Sequence, residues 1–141
     1  MELIIINGPN LNLVGDREQH IYGARNFEEL LEELKMAFPD LVLHYYQSNI
    51  EGEIIDKLQD TGFSYDGIIL NAGGYTHTSV AIADAVRAIK SPVVEVHMSN
   101  IFAREDYRHV SLIAPHATGT ITGFGMVSYR LAVESFMMRN Q

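Results

Sequence analysis

There is no cysteine among the 141 residues, which excludes disulfides, thiolate metal sites and cysteine nucleophiles together. Positive charge is scarce, with ten Lys and Arg against eighteen Asp and Glu and a formal net charge of −8. Such a surface repels a phosphate backbone, and no basic run interleaved with aromatics offsets it, so nucleic acid is not an expected partner. A few arginines in a cleft can still outweigh the global field for a small anion. No apolar run approaches the ~20 residues that a bilayer span needs, so no membrane partner is expected. The chain reaches an apolar run at Leu3, which leaves no room for a signal peptide, and the cytoplasm is the expected compartment. No Gly-x-Gly-x-x-Gly or Walker loop follows the first apolar run, and no His-x-x-His or His-Glu-x-x-His spacing occurs, so neither a nucleotide cofactor nor a metal is expected. A phosphoacceptor domain would carry acids where this chain has Asn7-Gly8-Pro9. The three lysines, Lys35, Lys57 and Lys90, fall in or beside predicted helices, so none is placed to form a Schiff base. No internal repeat, linker or low-complexity segment interrupts the chain, and its length predicts one domain over residues 1–141.

What is present alternates. With 47% hydrophobic and 20% charged residues the balance is that of a globular protein. Leu3-Ile4-Ile5-Ile6 predicts a buried strand. Asn26 predicts a helix N-cap, with Glu28 and Glu29 in the first turn and Phe27, Leu30, Leu31, Leu34 and Phe38 on one face. The acidic run on the other face reads as a solvated surface. Leu41 to Gln47 predicts the second strand, and Ser48 or Asn49 is expected to cap a helix from about Ile50 to Thr61. Further strands are expected at Gly67–Leu70, Val93–His97 and Thr118–Thr122. Helices are expected from about Ser79 to Ile89 and from Met126 to Met138. This pattern predicts an α/β fold, a flavodoxin-like, doubly wound five-stranded parallel sheet of order 2-1-3-4-5 with helices on both faces.

In that fold, ligands bind outside the carboxyl ends of the strands, in the crevice between strands one and three. The long loop from Asn7 to Gly23 leaves the first of these ends and carries Asn10, Arg17 and Tyr22. The loop after strand three carries Asn71 and His77. The one after strand four carries His97, Ser99 and Asn100, with Arg108 shortly beyond. Glu95 and His97 stand two apart on one strand and therefore share a face. A carboxylate there can fix the imidazole tautomer and keep the ring protonated, which makes His97 a candidate general acid. Two readings stand for these residues at this point: a catalytic pair, or a core acid and a histidine satisfied by their neighbours.

The segments Asn-Gly-Pro-Asn-Leu-Asn from Asn7, Arg17-Glu18 with Ile21-Tyr22-Gly23, Asn71 to His77, Glu95 to Ile101 and Gly119 to Gly125 together resemble type II 3-dehydroquinate dehydratase, in order over essentially the whole chain. The resemblance implies a lyase that converts 3-dehydroquinate into 3-dehydroshikimate in the shikimate pathway, through an enolate, with neither cofactor nor metal. It implies Tyr22 as base, Arg17 holding Tyr22 as tyrosinate, His97 as acid oriented by Glu95, and Asn10 positioning a water. It implies that Asn71, the amides of Met98 and Ser99, His77 and Arg108 bind the substrate. Asp84 is implied to reach a neighbouring subunit's site, since the family assembles as trimers and then dodecamers. Gln19 stands where proline is common, Val14 where leucine is usual, and Val110 where histidine is frequent. None of these departures removes a chemical group from the implied reaction. The alternative reading of the same fold is a flavodoxin-like module that binds a nucleotide or flavin.

Overall fold

The computed structural model describes residues 1–15 and 26–139. Strand β1, Glu2–Asn7, pairs in parallel with β2, Val42–Gln47, on one side and with β3, Gly67–Asn71, on the other. Beyond β3 lie β4, Val93–His97, and β5, Gly119–Thr122, giving the order β2-β1-β3-β4-β5. Every pairing is parallel, as the strand–helix alternation requires.

The continuous apolar run of β1 follows from burial on both faces. Leu3 and Ile5 pack with Phe27, Leu30 and Leu34 of α1 (Phe27–Ala37) and with Tyr129, Val133 and Phe136 of α4 (Val127–Arg139). Their neighbours Ile4 and Ile6 point the other way, onto Ile54 and Leu58 of α2 (Glu51–Thr61) and Ile82 and Val86 of α3 (Val80–Ala88). One strand thus anchors two cores. No helix among the described residues is long and apolar enough to cross a membrane.

The helix starts follow local chemistry. Asn26 Oδ1 accepts the Glu29 amide at 2.9 Å, and Ser79 Oγ accepts the Ile82 amide at 2.9 Å, each satisfying an orphan donor of a first turn. The expected cap of α2 is corrected: Ile50 occupies the N-cap position and offers no side-chain acceptor. Ser48 Oγ instead accepts the Ile50 amide at 2.9 Å, and Asn49 Oδ1 reaches back to the Asn10 amide at 3.0 Å. The turn is tied both into the first loop, through Asn49, and into its own helix, where Ser48 Oγ donates to Glu53 Oε2 at 2.9 Å.

At the switch point between β1 and β3 the two exits nearly touch. The Gly8 amide donates to the Asn71 carbonyl at 2.7 Å. A Cβ on Gly8 would lie 2.5 Å from the Ala72 carbonyl oxygen, so only glycine lets these backbones meet. Register places Asn7 opposite Asn71 and Thr122 opposite His97, which lines up the carboxyl ends along one edge.

Candidate active site

A cavity of about 320 Å³ opens along that edge, within the range of small-molecule sites. Among the described residues its lining includes Asn10 from the first exit, Asn71 and His77 from the second, and His97, Met98 and Ser99 from the third, with Arg104 and Arg108 from the segment after β4. The topology therefore gathers residues with no proximity in sequence. Arg17, Gln19 and Tyr22, which the sequence singles out, lie outside the described residues. Asp84 is exposed on α3 and does not line this cavity. None of the three lysines lines it either.

Asn10 sits in the left-handed region at φ 70°, which asparagine tolerates better than most residues. Asn71 is 4% exposed and is oriented unambiguously. The Gly73 amide can only donate, so the atom it meets at 3.1 Å is Oδ1, and Nδ2 faces the Tyr129 hydroxyl at 2.8 Å. Tyr129 passes its own proton to Asn7 Oδ1 at 2.9 Å, and Asn7 Nδ2 donates to the Tyr45 hydroxyl at 3.3 Å. Burial raises the pKa of Tyr45, against the opposing pull of the Asn7 hydrogen bond. The result is a directed chain of donors beneath the cavity floor, which leaves the second N–H of Asn71 for a ligand.

Glu95 is fully buried and His97 nearly so, with Nε2 and Oε2 2.5 Å apart. The carboxylate stands behind the imidazole as the strand alternation predicts, and only the imidazole lines the cavity. No described residue hydrogen-bonds Nδ1 of His97, so that nitrogen is the one available to a ligand. The His77 ring stacks near His97, with centroids 6.2 Å apart and planes inclined by 22°. His77 Nδ1 lies 2.8 Å from the Val110 carbonyl, which only accepts, so Nδ1 carries the proton. The departure at Val110 is thereby explained: its exposed side chain is idle and its backbone oxygen makes the contact. Val14 is buried and lines the cavity as an apolar wall.

The turn after β4 is held by β5's exit. The amides of Gly123 and Gly125 donate to the His97 and Met98 carbonyls at 3.1 and 2.9 Å. Each carbonyl shares a planar trans peptide with the next amide, so these bonds fix the directions of the Met98 and Ser99 N–H groups. Arg108 gives its Nε to Glu105 at 2.6 Å, leaving the terminal fork for an anion. Burial works against the charge of Arg108, but the Glu105 hydrogen bond and carboxylate outweigh it and raise its pKa.

Sequence reasoning misses Arg104, Ser111 and Tyr129. Arg104 belongs to a charged run in which only Arg108 stands out. Ser111 Oγ donates to Glu95 Oε1 at 2.8 Å across sixteen positions, and Tyr129 reads as an ordinary core aromatic of its helix. No local pattern marks either of them.

A family profile described as "Dehydroquinase class II" matches residues 1–137. A 3-dehydroquinate dehydratase of a Nitratiruptor species is 52% identical over 136 residues, covering 94% of this chain and 86% of that protein. One of Campylobacter jejuni subsp. jejuni is 53% identical over 135 residues, covering 94% and 85%. The crystal structure of type II dehydroquinase from Butyrivibrio crossotus superposes with a TM-score of 0.92 at 42% identity, covering 96% of this chain and 97% of that one.

Proposed function

The chain belongs to the class II dehydroquinase family, and from that premise we propose how its strand-edge cavity works. The protein is a lyase that dehydrates 3-dehydroquinate to 3-dehydroshikimate in the shikimate pathway. The observation that carries the chemical reading is the buried Glu95–His97 pair, whose imidazole alone opens onto the cavity. Tyr22 takes a proton from the carbon beside the ketone, giving an enolate. His97 then protonates the departing hydroxyl as the carbon–oxygen bond breaks, and water leaves as the double bond forms. Asn10 positions the water that supports the enolate. Asn71, His77, Arg108 and the amides of Met98 and Ser99 bind the substrate carboxylate and hydroxyls, and Glu95 orients the acid. No cofactor or metal enters this scheme. A flavin or nucleotide carrier, the other reading of the fold, is not favoured by relatives named for dehydration.

The base needs help. A tyrosine titrates near ~10, so half-ionisation at neutral pH requires a shift of ~3 units, or roughly 4 kcal/mol. One arginine close by in a partly desolvated cleft supplies much of that, which is the role of Arg17. Residues 1–141 work as one catalytic domain in the cytoplasm. The subunits assemble as trimers and then as a dodecamer, in which the exposed Asp84 enters an adjacent subunit's site.

The test is turnover of 3-dehydroquinate, followed by the ultraviolet absorbance of the enone-carboxylate product, with borohydride added in a parallel reaction. Product formation with unchanged protein mass is expected. A yellow protein without turnover, or a stable adduct on a lysine, would sink the reading.

A further inference from the structure

Three consecutive residues after β4 grip the catalytic edge. The Val110 carbonyl accepts from His77 Nδ1, Ser111 Oγ reaches Glu95 Oε1, and the Leu112 amide donates to the Thr76 carbonyl at 2.9 Å. The middle contact is the one with chemical consequence. A serine hydroxyl has one proton and two acceptor lone pairs. Here the Ile113 and Ala114 amides both donate to Ser111 Oγ, at 3.2 and 3.0 Å. Its acceptor capacity is filled, so its single proton has one destination, Glu95 Oε1 at 2.8 Å.

Glu95 has no exposed surface. Among the described residues its two oxygens have one side-chain partner each: Ser111 on Oε1 and the imidazole on Oε2. Deleting one partner of a buried carboxylate frees its plane to rotate and leaves an oxygen without a donor. Either change reaches His97, because among the described residues Nε2 carries the ring's one hydrogen bond. We propose that Ser111 is a positioning residue for the acid: a backbone-anchored hydroxyl that fixes the Glu95 carboxylate and, through it, the His97 imidazole. The acid is thus a three-member unit, Ser111–Glu95–His97, whose outermost member comes from a different segment of the chain. The role rests on the assignment of His97 as the proton donor.

The experiment compares wild type, Ser111→Ala, Ser111→Thr, Ser111→Cys, Glu95→Gln and the double variant Ser111→Ala/Glu95→Gln in the full-length protein. Wild-type turnover of 3-dehydroquinate is measured first; its absence would fail the proposed function, not this inference. In Ser111→Ala, kcat falls about tenfold or more, as the loss of a hydrogen bond to a charged group predicts, while KM stays within about twofold. Ser111→Thr, which keeps the hydroxyl, restores most of that loss, and Ser111→Cys, a weak donor of similar size, falls between. In the Glu95→Gln background, Ser111→Ala has no further effect on kcat, because the two act through one path. The downfield proton resonance of the His97 ring N–H moves in Ser111→Ala and returns in Ser111→Thr, a signature that a purely structural serine would not give. If Ser111→Ala fails to fold, the Cys and Thr variants decide: wild-type kcat in Ser111→Cys overturns the proposal. Wild-type kcat in a folded Ser111→Ala, or additive losses in the double variant, overturn it equally.

Discussion

Tyr129→Phe removes one oxygen from the middle of the donor chain under the cavity. That oxygen donates to Asn7 Oδ1 at 2.9 Å and accepts from Asn71 Nδ2 at 2.8 Å. Tyr129 and Asn7 have no exposed surface and Asn71 has 4%, so water does not take its place. A stranded buried polar group costs about 1–3 kcal/mol; with two partners stranded and the ring volume retained, the loss is about 2–4 kcal/mol. At ~3–4 °C per kcal/mol for a chain of this size, Tm falls by about 6–16 °C. Urea unfolding at one fixed protein concentration measures the loss, because the proposed assembly would make any midpoint concentration-dependent. Tyr45→Phe is the internal comparison: it removes a longer bond of 3.3 Å at the half-buried end of the chain and costs less. Tyr129→Phe also loosens Asn71, so KM for 3-dehydroquinate rises more than kcat falls. A Tyr129→Phe variant within about 0.5 kcal/mol of the parent, with unchanged KM, would refute the argument that this hydroxyl joins the two asparagines.

Four further outcomes are expected. Tyr22→Phe abolishes turnover while a substrate analogue still binds; Arg17→Ala keeps residual turnover that climbs with pH after the parent has levelled off, and Arg17→Lys rescues only part of it. Appreciable turnover in Tyr22→Phe would place the base elsewhere. The native mass is many times 15.8 kDa, and a fully active monomer in sedimentation would remove the role given to Asp84. Gly8→Ala pushes a methyl against the Ala72 carbonyl and costs about 1–3 kcal/mol, read as a lowered urea midpoint; an unchanged midpoint would contradict the close approach. The Glu105 carboxyl is held below its usual range, first by its own backbone amide and then by Arg108. A depressed folded pKa stabilises above the unfolded value and loses that contribution as pH falls through the folded one. Parent and Glu105→Gln therefore differ in thermal midpoint at neutral pH and converge in acid, and a difference that persists in acid would contradict this.

The architecture was legible because its signals are local and repeated. Leu3 to Ile6 has to be a strand buried on both faces, and Asn26 before Phe27 has to begin a helix. Strand order then carried Asn10, Asn71, His77, His97 and Arg108 to one edge by topology alone. Asn49 misleads, because a residue that caps in isolation turns its oxygen back to the Asn10 amide of the first loop, while Ser48 Oγ is taken up by the Ile50 amide and Glu53. Ser111 and Tyr129 were illegible for a different reason. Their partners lie 16 and up to 122 positions away, and neither residue type is unusual where it stands. Arg104 was visible as charge but not as lining, since its direction depends on the short 3₁₀ turn at Ile101–Ala103 that precedes it.

A wholly parallel sheet also governs how the chain reaches this state. It contains no hairpin, so no strand can pair with its neighbour until the chain has crossed an intervening segment. β1 must find β3 across some sixty positions before Asn7 stands opposite Asn71, and β5 must then dock before Gly123 can hold the turn after His97. Such distant closures make nucleation slow relative to helical or hairpin-rich chains of the same length. Asn71 and His97, which line the cavity, stand at the ends of strands that meet only through these closures. A refolding chain therefore has no partly formed site to protect or misuse: it acquires the pocket when it acquires the sheet.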